Sequence, residues 1–103
     1  MYELPTTVVI NDTIYTIRNR GDYRMVLDCF QVLNDVELSE EERIIACLLI
    51  FYEDFNEVES VLSLDGTTFQ ALLDNAFLFL IVVKRTHPQK LTIKLLIGKR
   101  TLN

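Results

Sequence analysis

Short alternating segments open the chain and give way to helical periodicity over most of its remaining length. Residues 6–10 and 13–18 are rich in β-branched side chains, and they flank Asn11-Asp12, a pair that tolerates the left-handed backbone of a tight hairpin turn. A β-hairpin is predicted there, with Ile14 and Thr16 on one face of its second strand and Tyr15 and Ile17 on the other. Asn19, Arg20 and Gly21 break the strand, and Asp22 is a suitable N-cap for a helix over 23–34. Val26, Phe30 and Leu33, with Met25, Leu27 and Cys29 alongside, give that helix a broad apolar stripe.

Ser39 and Glu42 have the spacing of a capping box, and Glu40, Glu41 and Glu42 put three carboxylates at the positive end of a helix dipole. This is the strongest local signal in the sequence. It predicts a helix over 40–55, apolar nearly all round through Ile44, Ile45, Cys47, Leu48, Leu49, Phe51, Tyr52 and Phe55, and therefore central. Val58, Val61 and Leu62 support a short helix within 56–64, ended by Asp65-Gly66. Thr67 or Thr68 is expected to cap a further helix whose core face is Phe69, Leu72, Leu73, Ala76, Phe77 and Leu80. Over 80–83 the β-branched run leaves helix and strand unseparated by pattern alone. Thr86, His87 and Pro88 form a break, and 91–97 is a possible final strand, with Lys90 and Lys94 as edge-protecting charges. The expected fold class is α+β, an N-terminal hairpin followed by a mainly helical domain.

Composition sharpens this picture. With 103 residues, half of them apolar, the chain can bury one core but not two, so a single domain over 1–103 is expected. All fifteen acidic residues lie between Glu3 and Asp74, and six of the ten basic ones lie at or after Lys84. Four bases against fifteen acids leave residues 1–83 at −11, an acidic body, while residues 84–103 carry +6. Such a body repels nucleic acid and attracts basic protein surfaces, which disfavours direct nucleic-acid binding. The longest apolar run, 76–83, is well short of the roughly 18–20 residues that span a bilayer, and the N-terminus lacks the pattern of a signal peptide. No membrane association is expected, and the expected location is the cytoplasm of a bacterial host.

Little points to catalysis. The one histidine, His87, sits in a loop among basic residues, and glycines at 21, 66 and 98 cannot form a phosphate loop. Cys29 and Cys47 lie in apolar helical contexts without a CxxC spacing, which predicts buried free thiols. The acids do not follow the alternating spacing of a calcium loop. No enzyme activity, cofactor or metal is expected. The remaining signal is charge: ten acids between Asp35 and Asp65 face one base, Arg43, a local −9. Such a run is either a solvated face or an acidic surface that docks on a basic partner. The residues expected to form the docking surface are Asp35, Glu37, Glu40, Glu41, Glu53, Asp54, Glu57 and Glu59.

The segments Leu4-Pro5-Thr6, Tyr15-Thr16-Ile17, Gly21-Asp22-Tyr23-Arg24, Leu38-Ser39-Glu40-Glu41-Glu42 and Phe51-Tyr52-Glu53-Asp54-Phe55 together resemble a family of small siphophage and prophage proteins. The likeness is traced over about 4–79. Members are encoded near the major tail protein gene and regarded as tail-assembly factors, so the resemblance implies a protein partner such as a tail or tape-measure protein. After Phe77-Leu78-Phe79 the sequence turns Lys-rich, which suggests a change of reading frame and a departure from the family. In size, charge and phage context the chain also resembles anti-CRISPR proteins. These occupy basic surfaces of Cas9-type nucleases, whose PAM-reading arginines and heteroduplex channel suit an acidic ligand. The leading expectation is therefore a stoichiometric inhibitor of a Cas9-type nuclease, with a tail-assembly chaperone as the alternative.

Overall fold

The computed structural model describes residues 6–86. Strands β1 (Thr7–Ile10) and β2 (Thr13–Thr16) pair antiparallel in the register Thr7↔Thr16 to Ile10↔Thr13. The turn between them places Asn11 and Asp12 at φ of 52° and 65°, left-handed at both central positions as a tight hairpin requires. Four helices follow: α1 (Tyr23–Leu33), α2 (Glu40–Phe51), α3 (Val58–Leu62) and α4 (Gly66–Thr86). The architecture is α+β, a two-stranded hairpin followed by helices, as the hydrophobic pattern predicts. The possible strand at 91–97 and the loop histidine His87 lie outside the described residues.

Helix α2 is central, touching α1, α3 and α4. Its buried Cys47, Leu48 and Phe51 meet Met25, Val26 and Cys29 of α1 and Leu72, Ala76 and Phe79 of α4 in one core. The stripe expected on α1 is rotated: Met25, Val26 and Cys29 are buried, whereas Phe30 and Leu33 are half-buried. On β2, Tyr15 is buried and Ile14 exposed, and Ile17 just beyond the strand is also buried, so the hairpin lays one face on the helices. Tyr15, Phe51, Tyr52, Phe55 and Phe79 make a connected set of edge-on and tilted ring contacts, with centroids 4.8 to 6.3 Å apart.

Two boundaries differ from those the sequence predicts. Helix α2 ends at Phe51, not Phe55, because Tyr52 turns extended (ψ 128°) and bridges Ile17. The Glu53 N–H then donates to Thr16 O (3.0 Å), and the Thr16 N–H donates to Asp54 Oδ2 (2.5 Å). A competing partner thus takes backbone groups that would have continued the helix. Helix α4 begins at Gly66, and Asp65 rather than either threonine caps it. The Thr68 N–H donates to Asp65 Oδ2 and the Thr68 hydroxyl to Asp65 Oδ1. Residues 80–83 are helical and continue α4 to Thr86, with Lys84 and Arg85 complementing the dipole in the last turn.

The segment Gly66–Arg85 of α4 is long and apolar enough, by length and composition, to cross a membrane, with mean hydropathy 1.5. An uninterrupted-run test misses this, because Asp74 divides the apolar stretch. About a third of this segment is buried, through Leu72, Leu73, Ala76, Phe79 and Leu80 against α2 and its neighbours, while Leu78 and Ile81 are exposed.

Candidate functional site

The capping box that starts α2 is fully formed. Ser39 Oγ accepts from the Glu42 N–H (3.2 Å), and Glu42 Oε1 accepts from the Ser39 N–H (2.9 Å). The arrangement fixes the direction of Glu40 and Glu41, both exposed on the first turn. One turn further, Ile44 and Ile45 stand on the same faces as Glu40 and Glu41, respectively, by the i, i+4 relation.

The eight acids expected to form one docking surface come from the first turn of α2 and from both sides of that helix in the chain. Asp35 and Glu37 lie in the α1–α2 connection, directly before Glu40 and Glu41. Glu53, Asp54 and Glu57 follow the opposite end of α2, and Glu59 lies on α3. Twelve helical residues separate the two ends of α2, a length of about 18 Å at the α-helical rise. The acids are not equivalent either. Asp35 is half-buried, its Oδ1 accepting from the Glu37 N–H, and Asp54 holds the Thr16 N–H. Glu37, Glu40, Glu41, Glu53, Glu57 and Glu59 are exposed.

Between α2, α3 and the start of α4 lies an open groove of about 660 Å³. Its apolar walls are Ile44, Ile45, Val61, Leu62, Leu64 and Phe69, and Ser39, Glu40, Glu41 and Gly66 complete the lining. Leu62 is 54% exposed at its edge, and Val58 one turn earlier on α3 is 47% exposed. Pattern reading assigns these side chains to helix faces but cannot show that three short elements leave a gap between them. The groove's two carboxylates are the part that sequence reasoning does identify.

Several residues that hold this surface in place carry no local signal. The guanidinium of Arg18, just past β2, donates from Nε to Ile50 O (3.1 Å) and from Nη2 to Leu49 O and Tyr52 O (both 3.2 Å). Arg43 Nε donates to Asp35 O (2.7 Å) and Leu38 O (3.1 Å), pinning the α1–α2 connection. Asn11 Nδ2 in the hairpin turn donates to Thr68 Oγ1 (3.1 Å), tying the hairpin to the α4 N-terminus. The buried Tyr52 hydroxyl donates to Leu72 O (2.6 Å), and burial pushes its pKa upward, so it remains a donor.

Cys29 and Cys47 are both free thiols buried in the α1–α2 contact, as expected. Cys29 lies 3.6 Å from Met25 Sδ, and its pKa is raised by its contact with the Cys47 side chain and by burial. That direction favours the inert thiol over the thiolate. Among the described residues, no group of three or more His, Cys, Asp or Glu is placed to hold a metal ion.

Two cap carboxylates are expected to make stability fall in acid. Hydrogen bonds from the Ser39 backbone hold Glu42 below its ordinary pKa, and the Thr68 hydroxyl and N–H do the same for Asp65. A carboxyl depressed in the folded state binds its proton more readily when unfolded. Its stabilisation is therefore present above the ordinary carboxylate value of about 4 and is lost as pH falls through the lower folded value. The melting temperature is expected to fall as pH drops below about 4, and Glu42→Gln with Asp65→Asn should flatten that fall. A thermal melt series across this range checks it; an unchanged slope in the double variant would refute it.

A hairpin docked on a helical layer, with an apolar groove walled by two glutamates, defines a small α+β protein. The chain belongs to the family described as Bacteriophage Gp15 protein, whose family model matches residues 1–95. The match passes Phe79, where the family likeness was expected to stop, so the segment just after Leu80 is not where that likeness ends. No curated protein and no solved structure matches the chain.

Proposed function

We propose that this phage protein is a tail-assembly factor, a non-catalytic binder that holds an unassembled tail or tape-measure protein in soluble form. The observation that carries this reading is the apolar surface left open among carboxylates. On α3, Val58 and Leu62 project into solvent beside Glu57 and Glu59, and the groove behind Leu62 is walled by Glu40 and Glu41. A protein that shields another chain's apolar segments needs such a surface, and it needs surrounding charge to stay soluble while the surface is empty.

The inhibitor reading loses one of its supports. It relied on a terminal segment foreign to the family, but the family match runs to residue 95. Co-expression with the tail and tape-measure proteins of the encoding phage tests the proposal. Recovery of a soluble complex of fixed stoichiometry with one of them is expected. No complex with any tail component, together with blocked cutting when the protein is added to a Cas9-type nuclease, would overturn assembly in favour of inhibition.

A further inference from the structure

The groove between α2, α3 and α4, rather than the wider array of carboxylates, is where we infer that the partner docks, and its occupant is an amphipathic helical segment with basic side chains beside its apolar face. This inference rests on the binding role proposed above and names the surface and the partner chemistry for it.

The groove's chemistry restricts what can sit in it. Its floor and walls are hydrocarbon, from Ile44, Ile45, Leu62 and Phe69, so an occupant gains by burying apolar side chains. The volume of about 660 Å³ suits a few such side chains, the number that one face of a short helix presents at i, i+3, i+4 and i+7. Charge decides the rest. Glu40 and Glu41 stand one turn from Ile44 and Ile45, so apolar anchors seated on the isoleucines bring their neighbours up to the carboxylates. A Lys or Arg there meets complementary charge, whereas an acidic neighbour is repelled. The body of the chain reinforces this selection, since residues 1–83 carry −11. Glu53 and Glu57 supply this general field but do not line the groove.

The probe is a fluorescent synthetic helix of leucine and lysine with its leucines on one face, titrated with the full chain. The same peptide with glutamate in place of lysine serves as its counterpart. The lysine peptide should bind and the glutamate peptide should not. Leu62→Glu should weaken binding about tenfold or more, as loss of an apolar anchor does. Glu40→Gln with Glu41→Gln should weaken it more than Glu53→Gln with Glu57→Gln. Leu62 is 54% exposed, so its variant should keep the parent's thermal melt, which separates a lost contact from a lost fold. Equal losses from the two charge pairs would mean a diffuse acidic surface and overturn the inference. So would concentration-dependent self-association that Leu62→Glu abolishes, since the groove would then belong to a second copy of this chain. Capture of a tail protein undiminished by Leu62→Glu defeats the groove and leaves the assembly role standing. Peptide binding with no capture of any tail protein defeats the assembly role and leaves the groove standing.

Discussion

Gly21→Ala should destabilise the protein by about 3 kcal/mol, a loss that combines a left-handed backbone disfavoured by most side chains with a core overlap. Gly21 has φ 72° and ends a left-handed run in which Asn19 and Arg20 already have φ of 51° and 56°. A Cβ on Gly21 would overlap Phe79 Cζ and lie 2.9 Å from Phe79 Cε1. The Phe79 ring cannot simply swing away, because it is 5% exposed and packs edge-on against Phe51 at 5.2 Å. For a domain near 100 residues, about 3 kcal/mol corresponds to a fall in melting temperature on the order of 15 °C. Pairing Gly21→Ala with Phe79→Leu separates the two causes. The smaller side chain should make the alanine less costly than it is in the parent, leaving the backbone part behind. Equal costs in both backgrounds would show that the ring contributes nothing.

The same turn shows what a sequence can and cannot disclose. Asn19-Arg20-Gly21 reads correctly as the end of a strand, because a glycine beside an asparagine marks a break. That the glycine lies under Phe79, 58 positions later, depends on how α4 crosses the hairpin. Much local chemistry was legible: the Asp22 cap, the Ser39 and Glu42 box and the left-handed pair Asn11-Asp12 each involve groups within a few residues of one another. One local feature was missed, since Asp65 and not Thr67 or Thr68 caps α4. The larger error arose where a distant partner intervened. Helix α2 has the periodicity to continue to Phe55, but Thr16 and Ile17 draw Tyr52, Glu53 and Asp54 into sheet-like bonding.

The candidate site divides along the same line. Glu40 and Glu41 could be singled out by charge, and Ile44 and Ile45 by periodicity, but the relation of these four to Leu62 and Phe69 exists only after α3 and α4 have folded back. The eight acids of residues 35–59 come from the first turn of α2 and from segments before and after it, and among them only Glu40 and Glu41 line the groove. Hydrogen bonding also separates acids that look alike in sequence. Asp54 is tied to the sheet by Thr16, while its neighbour Glu53 projects into solvent.

Arg18→Met is expected to cost about 2 to 3 kcal/mol, the range for removing hydrogen bonds made by a charged donor to partly buried acceptors. The last turn of α2 contains no basic residue to complement the negative end of its dipole, and its final carbonyls have no helical donors ahead of them. Arg18 supplies both needs from the far end of the hairpin, with Leu49, Ile50 and Tyr52 all accepting from one guanidinium. Methionine preserves much of the aliphatic stem, so the change chiefly removes the donors. Arg18→Lys should recover only part of the loss, because an ammonium cannot reproduce the planar fork that spans the carbonyls. Hydrogen exchange localises the effect: in Arg18→Met, amides of the last turn of α2 and of residues 52–55 should lose protection before those of α1. A uniform loss across the chain would show that Arg18 acts on global stability without fastening the hairpin to the end of α2. The localised result would show that Arg18 fastens the hairpin to the end of α2, beside the bonds from Thr16 and Ile17 that stop this helix at Phe51.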